Sequence, residues 1–429
     1  MTSSLSFKQK FLYSSTSAGI NIVSTTVSTW LLYFWAPPPD SGRPQYLEVT
    51  LLGLLLTGAR LWDAIVSPAI GHWSDTIQTP WGRRRPFLIF GTPVMLLSLI
   101  LLWTPPVAAG YINVGYFFLV TSAFYISFHL VSIPYDSSLP QMAKTASERV
   151  SLSMWKNIFG TFGVLIGAAI VAPLFSLLGA VGMSLVVAVV ALISILMTLM
   201  VLRETPLPSL QTMTFRSGIQ VTLRNGQFLR LCVSNLMVQT AYGMLLVNLP
   251  YFVTLILRQS EVTVSLLQGI IVVVMMASAP LWNWLSRRYS HRRLLMGLTW
   301  GLAVAIGSIF TLDMLPLGER TIAAAILLAS LAPFLSGYFI LIYAMMCSVV
   351  DDDEFLTQQR REAIHYGTFS LSGGIGVSLS SSIVPQIFET YGYTATHPLG
   401  VKVVFLAAAA IVVVGASILR GYRLGDSGI

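Results

Sequence analysis

Charge is what this sequence has least of. Asp, Glu, Lys and Arg together make up 10% of its 429 residues, whereas 55% are hydrophobic. That balance excludes a water-soluble domain, which needs far more polar surface to cover its core. The long apolar runs, about 20 residues each, are those of membrane-crossing helices. Cysteine is nearly absent too. Cys232 and Cys347 both fall in apolar segments, so no structural disulfide is implied. With no Cys or His partner at ligand spacing, no metal site is implied either. There is no P-loop, and hence no sign of ATP as an energy source. No Ser/His/Asp, HExxH or Cys/His arrangement suggests chemistry on a substrate, so neither an enzyme nor a bound cofactor is expected. The start, MTSSLSFKQKF, lacks a small-residue cleavage site after its first apolar run and does not read as a removable signal peptide.

What is present is apolar sequence in regular blocks. Twelve candidate spans run over 11–35, 47–74, 86–104, 113–140, 151–175, 179–202, 228–256, 264–286, 293–314, 321–347, 365–390 and 399–419. The longest hydrophilic stretch between spans, RETPLPSLQTMTFRSGIQVTLRNGQF, follows the sixth. The expected fold is therefore an all-α polytopic membrane protein with twelve transmembrane helices in two six-helix bundles. The bundles are 1–202 and 228–429, joined by a cytoplasmic central loop over 203–227. The net charge of +8 does not point to nucleic acid, because the basic residues gather at the ends of apolar runs. One side of the membrane receives Lys8, Lys10, Arg83, Arg84, Arg85, Lys144, Arg149, Arg203, Arg216 and Arg224 from the first half and the central loop, and a similar set from the second. The other side receives Arg43, Arg258 and Arg320 and little else. By the positive-inside rule, both termini and the central loop are cytoplasmic. A multi-pass protein of the cell membrane, expected to be monomeric, follows.

The two halves echo each other faintly. GHWSDTIQTPWGRRRPFLI after span 2 and NWLSRRYSHRRLLM after span 8 each follow a proline, Pro68 and Pro280, and each sets basic residues in a short turn. Parallel repeats of this kind are built around a substrate site near the bilayer midplane. The acidic run DDDEFLTQQRRE (351–362) lacks the alternating ligands and central glycine of a Ca²⁺ loop and reads as a solvated turn.

Ionisable residues inside spans mark a pathway or a site by default. In span 2, Arg60, Asp63 and Ser67 follow i, i+3, i+7 and share one helical face. Arg60 and Asp63 are placed to pair directly, either as a structural ion pair or as a carboxylate that takes up a cation or a proton. In span 4, Tyr125, His129, Ser132 and Asp136 form a polar stripe at i, i+4, i+7, i+11. His129 is of interest because imidazole as a group can titrate near neutral pH, although a satisfied core histidine is the plain alternative. Asp136 lies towards the cytoplasmic end, where a gate contact is expected. Span 1 carries Ser14, Ser17, Asn21, Thr25 and Ser28, and span 7 carries Asn235, Gln239 and Tyr242. Such groups also serve as interhelical hydrogen bonds; together, faces on spans 1, 2, 4 and 7 are placed to line a cavity for a polar solute. Gly160, Gly163 and Gly167 in span 5, and LSGGIGVSLSSS in span 11, read as close-packing surfaces.

The stretch ARLWDAIVSPAIGHWSDTIQTPWGRRRPFLI resembles the signature of the glycoside–pentoside–hexuronide transporters of the major facilitator superfamily, R-x-W-D-A-x-x-D-P followed by W-G-R-x-R-P. Further matches are IPYDSSLPQMAKTASERVSLSMWK and VVDDDEFLTQQRREAIHYG. The resemblance implies alternating access, with a cation gradient driving a solute. It implies a cation site from acids on helices 2 and 4, of which Asp63 matches the first. The other two acidic positions are Ser67 and Ser132 here. Na⁺ coupling is therefore not excluded, but proton coupling through Asp63 or His129 gains ground. The galactoside-binding charges of the melibiose-type members are missing: Ile20 and Asn21 stand at the helix 1 positions, and 372–375 contains no basic residue. Lys156 matches a basic position usual in the family's helix 5.

The function expected from this is secondary transport, cation-coupled (H⁺ or Na⁺) symport of a small glycoside or sugar. Alternatives are a carrier of lysophospholipid or another amphiphile, and a non-transporting sensor or assembly factor. The expected cation-coupling residues are Asp63, Ser67, Ser132 and His129. Substrate contacts are expected from Asn21, Thr25, Trp62, Tyr125, Lys156, Asn235, Gln239 and Tyr242. Gating contacts are expected from Arg60, Asp75, Arg83, Arg84, Arg85 and Asp136, the turn residues bonding across to the partner half.

Overall fold

The computed structural model describes residues 5–422 except 78, 109, 144–145, 203–224, 287 and 358–361. Among these, regular structure is helical throughout, apart from one bridge between Thr79 and Gly82. The chain gathers into two units. The first comprises Met1–Pro37, Ser41–Leu210 and Glu261–Gln268, and the second Pro38–Asp40, Gln211–Ser260 and Gly269–Ile429. Most of the expected central loop, 203–224, lies outside the described residues.

The first unit is built from α1 (Phe7–Trp35), α2 (Val49–Thr76), α3 (Arg85–Leu101), α4 (Tyr111–Ser137), the short α5 (Leu139–Met142) and α6 (Ala146–Val201). α1 opens with a capping box: Ser6 Oγ accepts from the Gln9 amide while Gln9 Oε1 accepts from the Ser6 amide at 3.0 Å, which satisfies donors the helix leaves orphaned. α6 counts 56 residues, about 84 Å of helix at 1.5 Å per residue, far more than a hydrocarbon core of about 30 Å requires. It is divided at Gly179, whose φ of 70° is open to glycine without a Cβ clash. It therefore makes two crossings, which correspond to 151–175 and 179–202.

α1 packs along α6, and the hydroxyls of α1 hold the two together. Thr16 Oγ1 donates to Thr198 Oγ1 at 2.7 Å, Ser15 Oγ to the Ser194 carbonyl at 2.8 Å, and Thr198 Oγ1 to the Tyr13 carbonyl at 2.9 Å. In a bilayer, where apolar surface gives no preference for helix over lipid, such bonds and close packing drive association. The backbones come close at Gly163, where a Cβ would lie 2.4 Å from the Ala18 carbonyl oxygen. The first two turns of α8 (Val262–Ser286) also belong to this unit. There Gln268 Nε2 donates to Thr29 Oγ1 at 3.0 Å, and Arg43 pairs with Glu261.

The second unit contains α7 (Gly226–Tyr251), continued as a π-helical turn over Phe252–Ile256, and the remainder of α8. It continues with α9 (His291–Ser308) and its 3₁₀ extension Ile309–Met314, then α10 (Leu317–Thr357), α11 (Glu362–Tyr391) and α12 (Leu399–Leu419). α7 packs on α11 and α12. Asn248 Nδ2 donates to the Val401 carbonyl at 3.0 Å, and at Gly376 a Cβ would stand 2.4 Å from the Leu236 carbonyl oxygen. The glycine-rich faces of spans 5 and 11 are thus close-packing surfaces. Nine described helices are long and apolar enough to cross a membrane. α6 is one of these yet crosses twice; α3 is shorter, at 17 residues, and α1 is diluted by its Ser and Thr residues. Twelve crossing segments result among the described residues.

Candidate functional site

Two polar rungs join α2 to α4. His129 Nδ1 lies 2.6 Å from Asp63 Oδ1, and Arg60 Nε donates to Tyr125 Oη at 2.9 Å. The spacing follows from helical geometry. Residues 60 and 63 stand about one turn apart on α2, residues 125 and 129 about one turn apart on α4, and the helices bring equal heights together. Arg60 and Asp63 are positioned to pair with each other in sequence, but their described bonds instead reach across to α4. The reason is reach: the Arg60 guanidinium carbon stands 5.2 Å from the centre of the Tyr125 ring, gaining a cation–π contact as well as the hydrogen bond.

Asp63 is buried, with 6% of its surface exposed, so its carboxylate has exchanged water for protein partners. Besides His129, Ser67 Oγ donates to the Asp63 carbonyl at 2.9 Å and lies 3.4 Å from Oδ1. Ser132 is half-buried one turn beyond His129 and takes no part in the pair. With Nδ1 facing a carboxylate, the neutral imidazole places its proton there and leaves Nε2 as the basic nitrogen. A proton taken up by the pair gives an imidazolium beside a carboxylate. The described hydrogen bond uses Nδ1 and leaves the Nε2 edge of the ring outside it.

A second cluster lies at the end of α4 that bears the Arg83–Arg85 turn. Lys156 Nζ is 2.5 Å from Asp136 Oδ1 and 4.9 Å from the centre of the Tyr135 ring. Tyr135 Oη donates to the Tyr13 carbonyl at 3.0 Å and meets Ser17 Oγ at 2.9 Å. Arg84 donates to the Ser137 carbonyl, and Arg85 Nη2 to the Leu199 carbonyl at 2.9 Å. These described bonds of the arginine turn stay inside the first unit and tie α3 to α4 and α6, where contacts to the other half were expected. The side chain of Asp75 lies outside the described residues. Tyr13 and Tyr135 were not singled out from sequence, because a buried tyrosine on an apolar helix looks like core; only its hydrogen bonds separate the two.

The remaining expected contacts are scattered. Asn21 Nδ2 donates to the Ser17 carbonyl at 2.8 Å and faces Gly160, and Thr25 faces Gly167, so both lie in the α1–α6 contact. Trp62 is 53% exposed on a stripe with Leu61 and Ile65, away from Arg60 and Asp63. In the second unit, buried Asn235 donates to Ser372 Oγ at 3.1 Å and to the Phe369 carbonyl at 3.3 Å, a helix-packing bond. Gln239 and Tyr242 are half-buried, and Tyr242 meets Phe339 edge-on at 5.8 Å. Phe339 and Tyr343, one helical turn apart on α10, add an aromatic wall that sequence reading passed over as apolar filling. Among the described residues, no group of His, Cys, Asp and Glu is placed to hold a metal ion.

Comparison with known proteins agrees with this architecture. The family model of MFS/sugar transport proteins matches residues 12–421. The isoprimeverose transporter of Lactiplantibacillus pentosus is 24% identical, over 91% of this chain and 82% of its own length. A glucuronide carrier protein homolog of Escherichia coli K12 is 23% identical over 80% and 76%. The sodium-dependent lysophosphatidylcholine symporter 1 of Gallus gallus is 23% identical over 89% and 80%. Among solved structures, a D-xylose-proton symporter superposes with a TM-score of 0.72 at 14% identity, covering 99% of each chain, which shows the fold. With twelve crossing segments, two units and a family match over nearly its whole length, the chain belongs to the MFS/sugar transport proteins, the glycoside–pentoside–hexuronide branch of the major facilitator superfamily, and is a transporter rather than an enzyme.

Proposed function

We propose that this protein is a proton-coupled symporter of a small glycoside, with Asp63 and His129 as the coupling pair. The observation that carries the choice of ion is the 2.6 Å contact between His129 Nδ1 and Asp63 Oδ1. A hard cation favours a shell of oxygens, whereas imidazole suits softer transition metals. Here one carboxylate stands with the hydroxyl of Ser67, and a ring nitrogen faces the carboxylate oxygen. That set suits a proton better than Na⁺. Proton uptake raises the charge of the Arg60–Asp63–His129 group by one, and in a medium of low dielectric such a change strongly biases which conformation is preferred. Each unit is assigned its own solute contacts by the half-buried polar side chains it carries, Tyr125 in the first and Gln239 and Tyr242 in the second. Gating is assigned to Asp136 with Asp75 and Arg83–Arg85, supported by the bond from Arg84 to the residue next to Asp136. The distribution of basic residues supports a location in the cell membrane with the termini and the 203–227 loop on the cytoplasmic side.

The test is uptake into proteoliposomes under an imposed pH gradient or an imposed Na⁺ gradient. Accumulation driven by the pH gradient alone, and lost in Asp63→Asn, supports the proposal. Accumulation that needs Na⁺ and ignores pH overturns it. One observation favours a second reading: the sodium-dependent lysophosphatidylcholine symporter aligns along 89% of the chain. Binding of lysophosphatidylcholine, but of no glycoside, would establish that alternative.

A further inference from the structure

Independently of the transported solute, we infer that the turn between α8 and α9 binds an anionic phospholipid. Arg288 takes its phosphate, and the adjoining face of α8 carries an acyl chain. The inference begins with the two turns that echo each other in sequence, after Pro68 and after Pro280. Their basic residues are used differently. In the first unit, Arg84 donates to the Ser137 carbonyl and Arg85 to the Leu199 carbonyl, so both guanidiniums are committed to neighbouring helices. In the second unit, Arg288, His291 and Arg293 are exposed, and among the described residues none of the three is in an ion pair.

The contact described for the Arg288 guanidinium is the ring of Trp284, whose centre lies 4.2 Å from the guanidinium carbon. A cation–π contact of this kind holds the arginine beside α8 without using a hydrogen-bond acceptor. The donors of Arg288 thus remain for a phosphate, which a guanidinium meets with two parallel bonds. Position supplies the apolar half of the site. Val273, Ala277, Leu281 and Trp284 follow i, i+4, i+8, i+11 on α8 and all are exposed, so they form one ridge that leads to Arg288. An acyl chain along that ridge brings its headgroup to the level where the chain leaves the apolar layer. Exposed Trp284 and Tyr289 are the residue types that mark that level. The acids nearest in kind are Asp351, Asp352, Asp353 and Glu354 at the tail of α10, and no described bond joins them to Arg288 or Arg293.

Basic residues at a span end are also the ordinary mark of topology; a lipid site differs in depending on particular arginines and on headgroup charge. Native mass spectrometry of the purified full chain in detergent reads both. The chain is titrated with dioleoylphosphatidylglycerol or with dioleoylphosphatidylcholine, which share their acyl chains and differ in the headgroup. Phosphatidylglycerol is expected to bind at least about fivefold tighter, with Arg288→Gln and Arg293→Gln each weakening it by about fivefold and the exposed Lys8→Gln leaving it unchanged. Both arginines are exposed, and the melting temperature of each lipid-free variant checks that it is folded. Equal affinity for the two lipids overturns the inference. So does equal weakening by Lys8→Gln and Arg288→Gln, because general attraction to a chain of net charge +8 then accounts for the binding. Displacement of phosphatidylglycerol by lysophosphatidylcholine also overturns it, since the lipid would then be cargo. None of these outcomes depends on whether uptake follows protons or Na⁺.

Discussion

His129 Nδ1 and Asp63 Oδ1 face each other at 2.6 Å across α2 and α4, so that an imidazole and a buried carboxylate tie the two helices at this level. Replacing Asp63 by Asn removes the charge and keeps the shape. The expected outcome is a carrier that still exchanges solute across the membrane but no longer accumulates it against a gradient. Counterflow and pH-driven uptake, measured on the same proteoliposomes, check this: loss of both would mean that Asp63 is structural.

Removing the imidazole should cost more stability than removing the carboxylate. In His129→Leu, the buried Asp63 carboxylate loses its ring partner, and stranding one member of a buried pair costs about 3 kcal/mol. Asp63→Asn leaves a neutral amide opposite a neutral ring and should cost less. Thermal unfolding of the two variants in detergent gives the order, and the reverse order would count against the pairing.

Arg60→Lys is not a conservative change at this position. Lysine has neither the planar fork nor the stacking face that meets Tyr125. Tyr125→Phe removes the hydroxyl alone and is expected to cost about 1 kcal/mol while retaining the cation–π contact. A double-mutant cycle on thermal stability checks whether the two residues are coupled; additive effects would exclude the rung.

Gly163→Ala introduces a Cβ where the Ala18 carbonyl oxygen would be 2.4 Å away. α1 and α6 must separate, at an expected cost of about 1–3 kcal/mol. Gly269→Ala is the control, since nothing lies within 4 Å of a Cβ there. Equal melting temperatures for the two variants would contradict the close approach.

The Lys156–Asp136 pair should matter little to stability. The Asp136 side chain is 62% exposed, and solvent-screened pairs contribute about 0–1 kcal/mol. Asp136→Asn is expected to leave the melting temperature nearly unchanged; a large drop would show a burial the exposure does not.

The sequence by itself determined the class of the molecule. Twelve apolar blocks and the scarcity of charge require membrane-crossing helices, because the bilayer accepts a backbone only when its hydrogen bonds are closed within the segment. Helical period alone put Arg60, Asp63 and Ser67 on one face of α2 and Tyr125 and His129 on one face of α4. It also marked Gly163 as a contact surface, since small residues in a membrane helix serve few other ends. What tertiary structure decided was partnership. Within α2, Arg60 and Asp63 look made for each other, but only the facing helix shows that Tyr125 and His129 take their hydrogen bonds. Asn235 looks like a solute contact, yet its described bonds go to Ser372 and Phe369 on the neighbouring helix, while Asn21 bonds back to the Ser17 carbonyl of its own helix. Periodicity specifies the direction in which a side chain leaves its own helix; what waits there depends on which helix packs alongside, and at what height.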